Sequence, residues 1–387
     1  MPTYLTPGVY VEEMQTGARP IQPVGTSTAA FLGVASLADA HAGEAIAVNN
    51  WTQFQKLYVP KDGKATPLVQ AVYGFFVNGG SRCYVINLGT GGTLAKGLRT
   101  LEQVDEVAIV AAPGYADPAS HDALLGHCEL MKDRVAVLDG PEKVDSIDRF
   151  TVVGAAGETD ADAPKGVRPR PSDGGYGAVY WPWITVKDAL DGETLVTVPP
   201  SGHMAGIYAR TDATRGVHKA PANEIIRGAL NVGYRLTPQE QGVLNPVGVN
   251  CIRFFTGQGI RVWGARTVAD GSSEWRYLNV RRVFNFMEKS IARSTNWIVF
   301  EPNDQFLWQA IRRDITSFLT VLWREGMLAG KTADEAFFVK CDSETNTPET
   351  IELGQVITLI GVAVVKPAEF IIFRIGQHAG GTSIEEG

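Results

Sequence analysis

No two of the four cysteines, Cys83, Cys128, Cys251 and Cys341, stand close together. That spacing excludes a Cys-x-x-Cys redox pair and supplies no clustered zinc ligands, so four buried, reduced thiols and no metal site are expected. No apolar run approaches the roughly 18–20 residues of a membrane span. The start, Met1-Pro2-Thr3-Tyr4, lacks the basic and apolar pattern of a secretory signal. Cytoplasmic synthesis and assembly without membrane insertion are therefore expected. No basic run carries interleaved aromatics, so nucleic acid is not an expected partner. Leu88–Gly92 reads LGTGG but lacks the Lys-Ser/Thr of a phosphate loop and the full dinucleotide fingerprint, leaving a turn and no cofactor. A Gly-x-Ser-x-Gly nucleophile elbow is also missing. Ser201 lies two residues from a histidine, His203, and adjacency is not triad geometry.

What is present is an ordinary globular composition. The 387 residues are 44% hydrophobic and 20% charged, and that length favours two domains. The net charge of −7 is unevenly placed: residues 221–340 carry +4, against −6 before them and −5 after. A modestly basic domain between acidic flanks fits complementary surfaces in self-assembly, and equally fits ordinary scatter.

Prolines 2, 7, 20 and 23 surround the extended run Val9-Tyr10-Val11-Glu12-Glu13. Proline opposes helix and pushes its predecessor to extended backbone, so 1–22 reads as an arm with one short strand. A lone strand must pair with some sheet, in its own chain or in another. Strands are expected at Thr28–Ala35, Cys83–Leu88, Val107–Ala112 and Arg134–Leu138, with helices at Trp51–Tyr58, Leu68–Phe76 and His121–Met131. The last strand–helix–strand run is a βαβ unit with a parallel pair. Its strand ends, at Pro113-Gly114 and Asp139-Gly140, are where α/β folds place sites, and Asp117, His121, His127 and Asp139 are available there. Pro141–Gly177, rich in Gly, Pro, Asp and Ala, reads as a loop insertion, followed by short strands at Tyr180–Trp183 and Leu195–Val198.

Positions 221–341 are the most legible. Val280, Val283, Phe284, Met287 and Ile291 recur at helical spacing, predicting a helix over 279–293. The apolar run Trp297–Phe300 predicts a buried strand. Asn303 or Asp304 then caps a second helix, marked by Leu307, Ile311, Ile315, Phe318, Leu319 and Leu322 and closed at Gly326. Thr332 and Glu335 have the spacing of a capping box, and Phe337–Cys341 returns as a strand. Val356–Val365 is apolar on both faces, as a doubly buried strand would be, and Phe370–Ile375 follows as another. Such terminal strands suit exchange between subunits or an intrachain hairpin.

The stretch GARTVADGSSEWRYLNVRRVFNFMEKSIARSTNWIVFEPND, followed by LWREGMLAG and AFFVKCD, resembles the C-terminal domain of contractile tail sheath proteins. The resemblance extends to TPGVYVEE at 6–13, FFVNGGSRCYVI at 75–86, PPSGHMAGIYARTDATRGVHKAPAN at 199–223 and VAVVKPAEFIIFRIGQ at 362–377. It implies an outer α/β domain with a partly parallel sheet over 23–220, with a loop insertion near 141–177, and an α+β C-terminal core domain over 221–365. Extended arms at 1–22 and 366–387 are exchanged between subunits. It further implies a non-enzymatic subunit that polymerises with itself, as hexameric rings stacked in a helix, around a tail tube, with baseplate and tail terminator proteins as partners. The particle is a virion tail or a released extracellular one.

The expected intersubunit strands are Val9, Tyr10, Val11 and Glu12, with Ile371, Ile372, Phe373 and Arg374. Arg312, Arg313 and Arg324, on the polar side of the 304–325 helix, are the expected tube-facing residues, since arginine suits carboxylate pairing at an interface. Two other classes stay open: an α/β hydrolase, and a tube or baseplate component.

Overall fold

The computed structural model describes residues 20–155 and 166–372. In chain order the elements are β1 (Ala29–Gly33), β2 (Ala45–Val48), α1 (Trp51–Tyr58), α2 (Pro67–Val77), β3 (Cys83–Asn87), α3 (Leu94–Leu101), β4 (Ile109–Ala111), α4 (Pro118–Met131), β5 (Val135–Asp139), β6 (Gly177–Trp181), β7 (Ile184–Lys187), β8 (Leu195–Val198) and α5 (Ser201–Arg215). They continue with β9 (Asn231–Val232), α6 (Pro238–Leu244), β10 (Val249–Phe255), β11 (Gly259–Trp263), α7 (Leu278–Ser294), α8 (Gln305–Arg324), α9 (Ala333–Ala336), β12 (Phe337–Lys340), α10 (Pro348–Glu352) and β13 (Leu359–Val362).

An eight-stranded sheet in the order β11-β10-β6-β5-β4-β1-β3-β2 organises the first part of the chain. Its six inner strands are parallel, and β2 and β11 close the edges antiparallel. Both faces are covered, which is why β1, β5 and β6 are buried at every position and read as continuous apolar runs. Alternation sorts the side chains. Phe31, Val85 and Val137 face one way, against α1, α2 and α5; Leu32, Ile86 and Leu138 face the other, against α3 and α4. The sequence reading puts β10 and β11 in the C-terminal domain. Hydrogen bonding instead puts them in this sheet, with Val249–Cys251 paired to Val179–Trp181.

Helices α2 and α5 approach closely because glycine lines their contact. A Cβ at Gly202 would stand 2.4 Å from the Ala71 backbone, and one at Gly206 would stand 2.5 Å from the Phe75 carbonyl oxygen. A separate apolar cluster joins α7 and α8 through Val283, Met287, Ile311, Ile315, Phe318 and Leu319, and takes in Phe337 of β12. Asp304 is the α8 cap, accepting from the Leu307 N–H at 3.0 Å, and Gly326 follows the helix at φ +78.

Three local expectations are corrected. Trp297–Phe300 is not a buried strand: a 3-10 turn covers Asn296–Ile298, Val299 is 63% exposed and Phe300 is 102% exposed at φ +69. A short apolar run looks the same by periodicity whether buried or exposed. Thr332 makes no side-chain cap; Glu335 instead accepts from the Lys331 N–H at 2.7 Å. Within Val356–Val365 the regular strand is β13, which is largely exposed and pairs antiparallel with β12 of its own chain; beyond it Val364 bridges antiparallel to Leu328.

Candidate functional site

A catalytic constellation is the first possibility, because the C-terminal end of β5 gathers polar groups. The Asp139 carboxylate accepts from the Ser201 N–H at 2.8 Å, the Ser201 hydroxyl at 2.7 Å and the Gly114 N–H at 3.1 Å. The residue preceding α5, Pro200, has no side-chain cap to offer, so Asp139 caps that helix from another strand. Burial pushes the Asp139 carboxyl up to about 6, against the pull of its three donors. His121 meets the Asp139 carbonyl, not Ser201, at 3.0 Å. His203 is turned against Gly74, with its Nδ1 unpartnered, and burial pushes its imidazole down to about 4. All four residues are buried. Serine, histidine and aspartate are thus close without any histidine on the serine hydroxyl, and the cluster acts as packing and capping.

The four cysteines are free and buried, and burial raises the thiols of Cys83, Cys128 and Cys251. Among the described residues no group of His, Cys, Asp and Glu has the arrangement of a metal site. The LGTGG segment is a turn, with Gly89 at φ +68 and Gly91 at φ +80, leading to the Thr93 cap of α3.

The more informative surfaces surround residues 22–26 and 365–369. At the N-terminal side, residues 22–26 run antiparallel along α7. The Gln22 N–H donates to Ser294 Oγ at 2.9 Å and the Val24 N–H to Ser290 Oγ at 3.1 Å. The Arg282 guanidinium reaches the Thr26 carbonyl at 3.0 Å. Arg282 also grips Asp212 of α5 through two bonds of 2.9 and 2.6 Å, both partners being buried, and stacks on Tyr208. At the C-terminal side, Asn279 donates to the Val365 carbonyl and Tyr277 donates to Glu369. Gln22 and Glu369 are therefore held near opposite ends of α7, whose 17 residues span about 25 Å at the usual helical rise.

Glu369 is also bound by Arg266 and by Asn245. A groove of about 490 Å³ lies beside it, lined among others by Gln241, Trp263, Phe370 and Ile371. Ile371 and Ile372 have no regular secondary structure in the single chain and are 73% and 78% exposed. Val9, Tyr10, Val11, Glu12, Phe373 and Arg374 lie outside the described residues.

The β12–β13 ladder has only two strands, and Phe338, Leu359 and Ile360 are exposed on it. Among the described residues neither strand has a further neighbour. A two-stranded ribbon with open edges and exposed apolar side chains is marginal alone and is a template for added strands. Arg312, Arg313 and Arg324 are exposed on α8, with Arg313 and Arg324 three turns apart on one stripe.

Comparison with known proteins fits these end structures. Residues 90–268 match the phage tail sheath protein central domain, and residues 270–377 match the phage tail sheath C-terminal domain. The fold superposes on a PVC sheath subunit from an extracellular contractile injection system in its contracted state. The TM-score is 0.78 at 32% identity, covering 98% of this chain and 99% of that one. The chain belongs to the tail sheath family.

A second sheath subunit, from the contracted helical sheath of the anti-feeding prophage, gives a TM-score of 0.75 at 31% identity, covering 97% of this chain and 100% of that one. The tail sheath protein of Salmonella phage ViI is 26% identical over 281 residues, 68% of this chain and 43% of its own length. That of Vibrio phage KVP40 is 30% identical over 179 residues, 46% of this chain and 25% of its own. This sheath-family chain spans between 25% and 64% of the length of the curated relatives it matches. The residues that root its ends, Asp212, Arg266, Arg282 and Glu369, were not singled out from sequence. They carry no periodic signal, and a buried arginine looks in sequence like a solvated one.

Proposed function

We propose that this chain is a structural subunit of a contractile sheath, polymerising with itself around a tail tube and contracting to drive that tube through a target envelope. The observation that carries the reading is the likeness to contracted sheath subunits over 98% of the chain, together with a ribbon in the C-terminal part that has only two strands among the described residues. The ends of neighbouring copies supply the missing strands: Val9–Glu12 from one and Ile371–Arg374 from another. Main-chain hydrogen bonds then persist while the connecting segments bend. Baseplate and terminator proteins bound the sheath, rings are six-membered, and assembly proceeds in the cytoplasm before the particle is released.

No nucleotide or cofactor enters and no reaction is catalysed. Free energy is stored as the difference between two packings of the same chains. Even a few kcal/mol per subunit, summed along a sheath, makes contraction effectively irreversible. For the tube side, the exposed Arg312, Arg313 and Arg324 supply cations to tube carboxylates.

Electron microscopy of the purified chain, alone and with a tube, tests this directly. Striated hollow cylinders are expected from the whole chain and none after deletion of residues 1–15. A whole chain that stays dispersed in the presence of a tube refutes the reading, and a deletion that still assembles and contracts refutes the strand donation.

A further inference from the structure

The described chain ends on an unusually well-held carboxylate followed at once by free apolar residues. Glu369 Oε1 accepts from Arg266 Nε at 2.9 Å and from Asn245 Nδ2 at 2.8 Å; Oε2 accepts from Arg266 Nη2 at 2.7 Å and from the Tyr277 hydroxyl at 3.1 Å. Four donors fill the four lone-pair sites of a carboxylate. Two of them come from one guanidinium in the bidentate arrangement that fixes geometry as well as charge. Arg266 is held in turn: its N–H donates to Asn250 Oδ1 at 2.7 Å and its Nη1 to the Asn245 carbonyl at 3.1 Å. The clamp therefore gathers the end of α6, the turn after β11 and the start of α7. One residue further on the restraint stops, for Phe370, Ile371 and Ile372 are all more than 70% exposed.

We propose that Glu369 is the anchor of the C-terminal arm, so that the intersubunit joint bends at 370–372 rather than at the Lys366-Pro367 turn. A pull on the arm is then delivered through Arg266 to the eight-stranded sheet and through Tyr277 to α7. Glu369 is a positioning residue: it touches no partner itself but fixes where the arm leaves. The inference depends on the sheath reading only for what does the pulling.

The test uses spin labels on the whole, unassembled chain. Because Cys83, Cys128, Cys251 and Cys341 are buried, Ala368→Cys and Ile372→Cys, both at exposed positions, label selectively. The label at 368 is expected to be immobilised and the label at 372 mobile. Glu369→Gln and Arg266→Ala should each abolish the immobilised component at 368 and leave 372 unchanged. The exchanged pair Arg266→Glu with Glu369→Arg should restore it, which loss of general stability would not do. Equal mobility at 368 and 372 in the otherwise unaltered chain overturns the proposal, as does persistent immobilisation at 368 in both single variants. In assembled cylinders, Glu369→Gln should break continuity on contraction, and unbroken contraction overturns the anchor. If the unaltered chain makes no cylinders, the sheath reading falls, while the label measurement still decides the clamp.

Discussion

The Arg282 guanidinium closes on the Asp212 carboxylate with paired bonds of 2.9 and 2.6 Å, buried between α7 and α5. Thr26 completes the arrangement, donating its hydroxyl to Asp212 at 2.6 Å and offering its carbonyl to Arg282. Three segments distant in sequence meet on one ion pair. The pair ties the helical C-terminal cluster to the large sheet.

Removing one partner strands the other charge in the interior. Arg282→Met or Asp212→Asn alone should cost about 3–5 kcal/mol, whereas Arg282→Met combined with Asp212→Leu should recover much of the loss. Denaturant midpoints of the unassembled chain measure both. Equal destabilisation by the single and double changes would refute the paired role.

Acid should weaken the fold through His203. Its imidazole is neutral in the folded chain down to about 4, while the unfolded chain titrates near the ordinary value. Between those values the unfolded state binds the extra proton, so stability falls as pH falls through that window. His127, also buried and pushed down to about 4, acts in the same direction. Asp139 acts oppositely: with its carboxyl held up to about 6, its contribution falls as pH rises from the ordinary carboxylate value to about 6. His203→Leu should shrink the stability difference between pH 7 and pH 5 by about 2 kcal/mol, read from unfolding curves at the two pH values.

The glycine contact between α2 and α5 is equally testable. Gly202→Ala places a methyl 2.4 Å from the Ala71 backbone and should cost about 1–3 kcal/mol or more through overpacking. Gly126→Ala in α4, where nothing lies within 4 Å, should instead gain up to about 1 kcal/mol. Thermal unfolding of the pair distinguishes a packing constraint from a general intolerance of alanine.

Charge reversal of Arg312 and Arg313 should slow growth of the sheath on its tube; the Arg312 change alone should shift intrinsic stability by no more than about 0.5 kcal/mol, since that residue is exposed, whereas Arg313 also holds the buried Asp314 carboxylate through its Nε at 3.1 Å. Growth indistinguishable from the unaltered chain, followed by light scattering with purified tube, would remove α8 from the tube-facing surface.

Much of the architecture was legible in sequence because it follows from periodicity. The α7 and α8 faces, the parallel β4–α4–β5 unit and the α8 punctuation at Asp304 and Gly326 all express local rules. The failures share a cause, which is that exposure is not a local property. Trp297–Phe300 and Val356–Val365 are apolar and read as buried, yet Phe300 and Leu359 face outward in the single chain. Membership of β10 and β11 in the large sheet depends on pairing across more than 60 residues, with Val249 beside Val179. Arg282 and Glu369 were invisible because their partners, Asp212 and Arg266, are 70 and 103 residues away.

The placement of both roots on α7 has a geometric consequence. Gln22 is held at Ser294 and Glu369 at Tyr277, with a single uninterrupted helix between them. A rod of constant length between two footings is a spacer. The span from one footing to the other is set by the 17 residues of α7, and no side-chain rearrangement at either footing alters it.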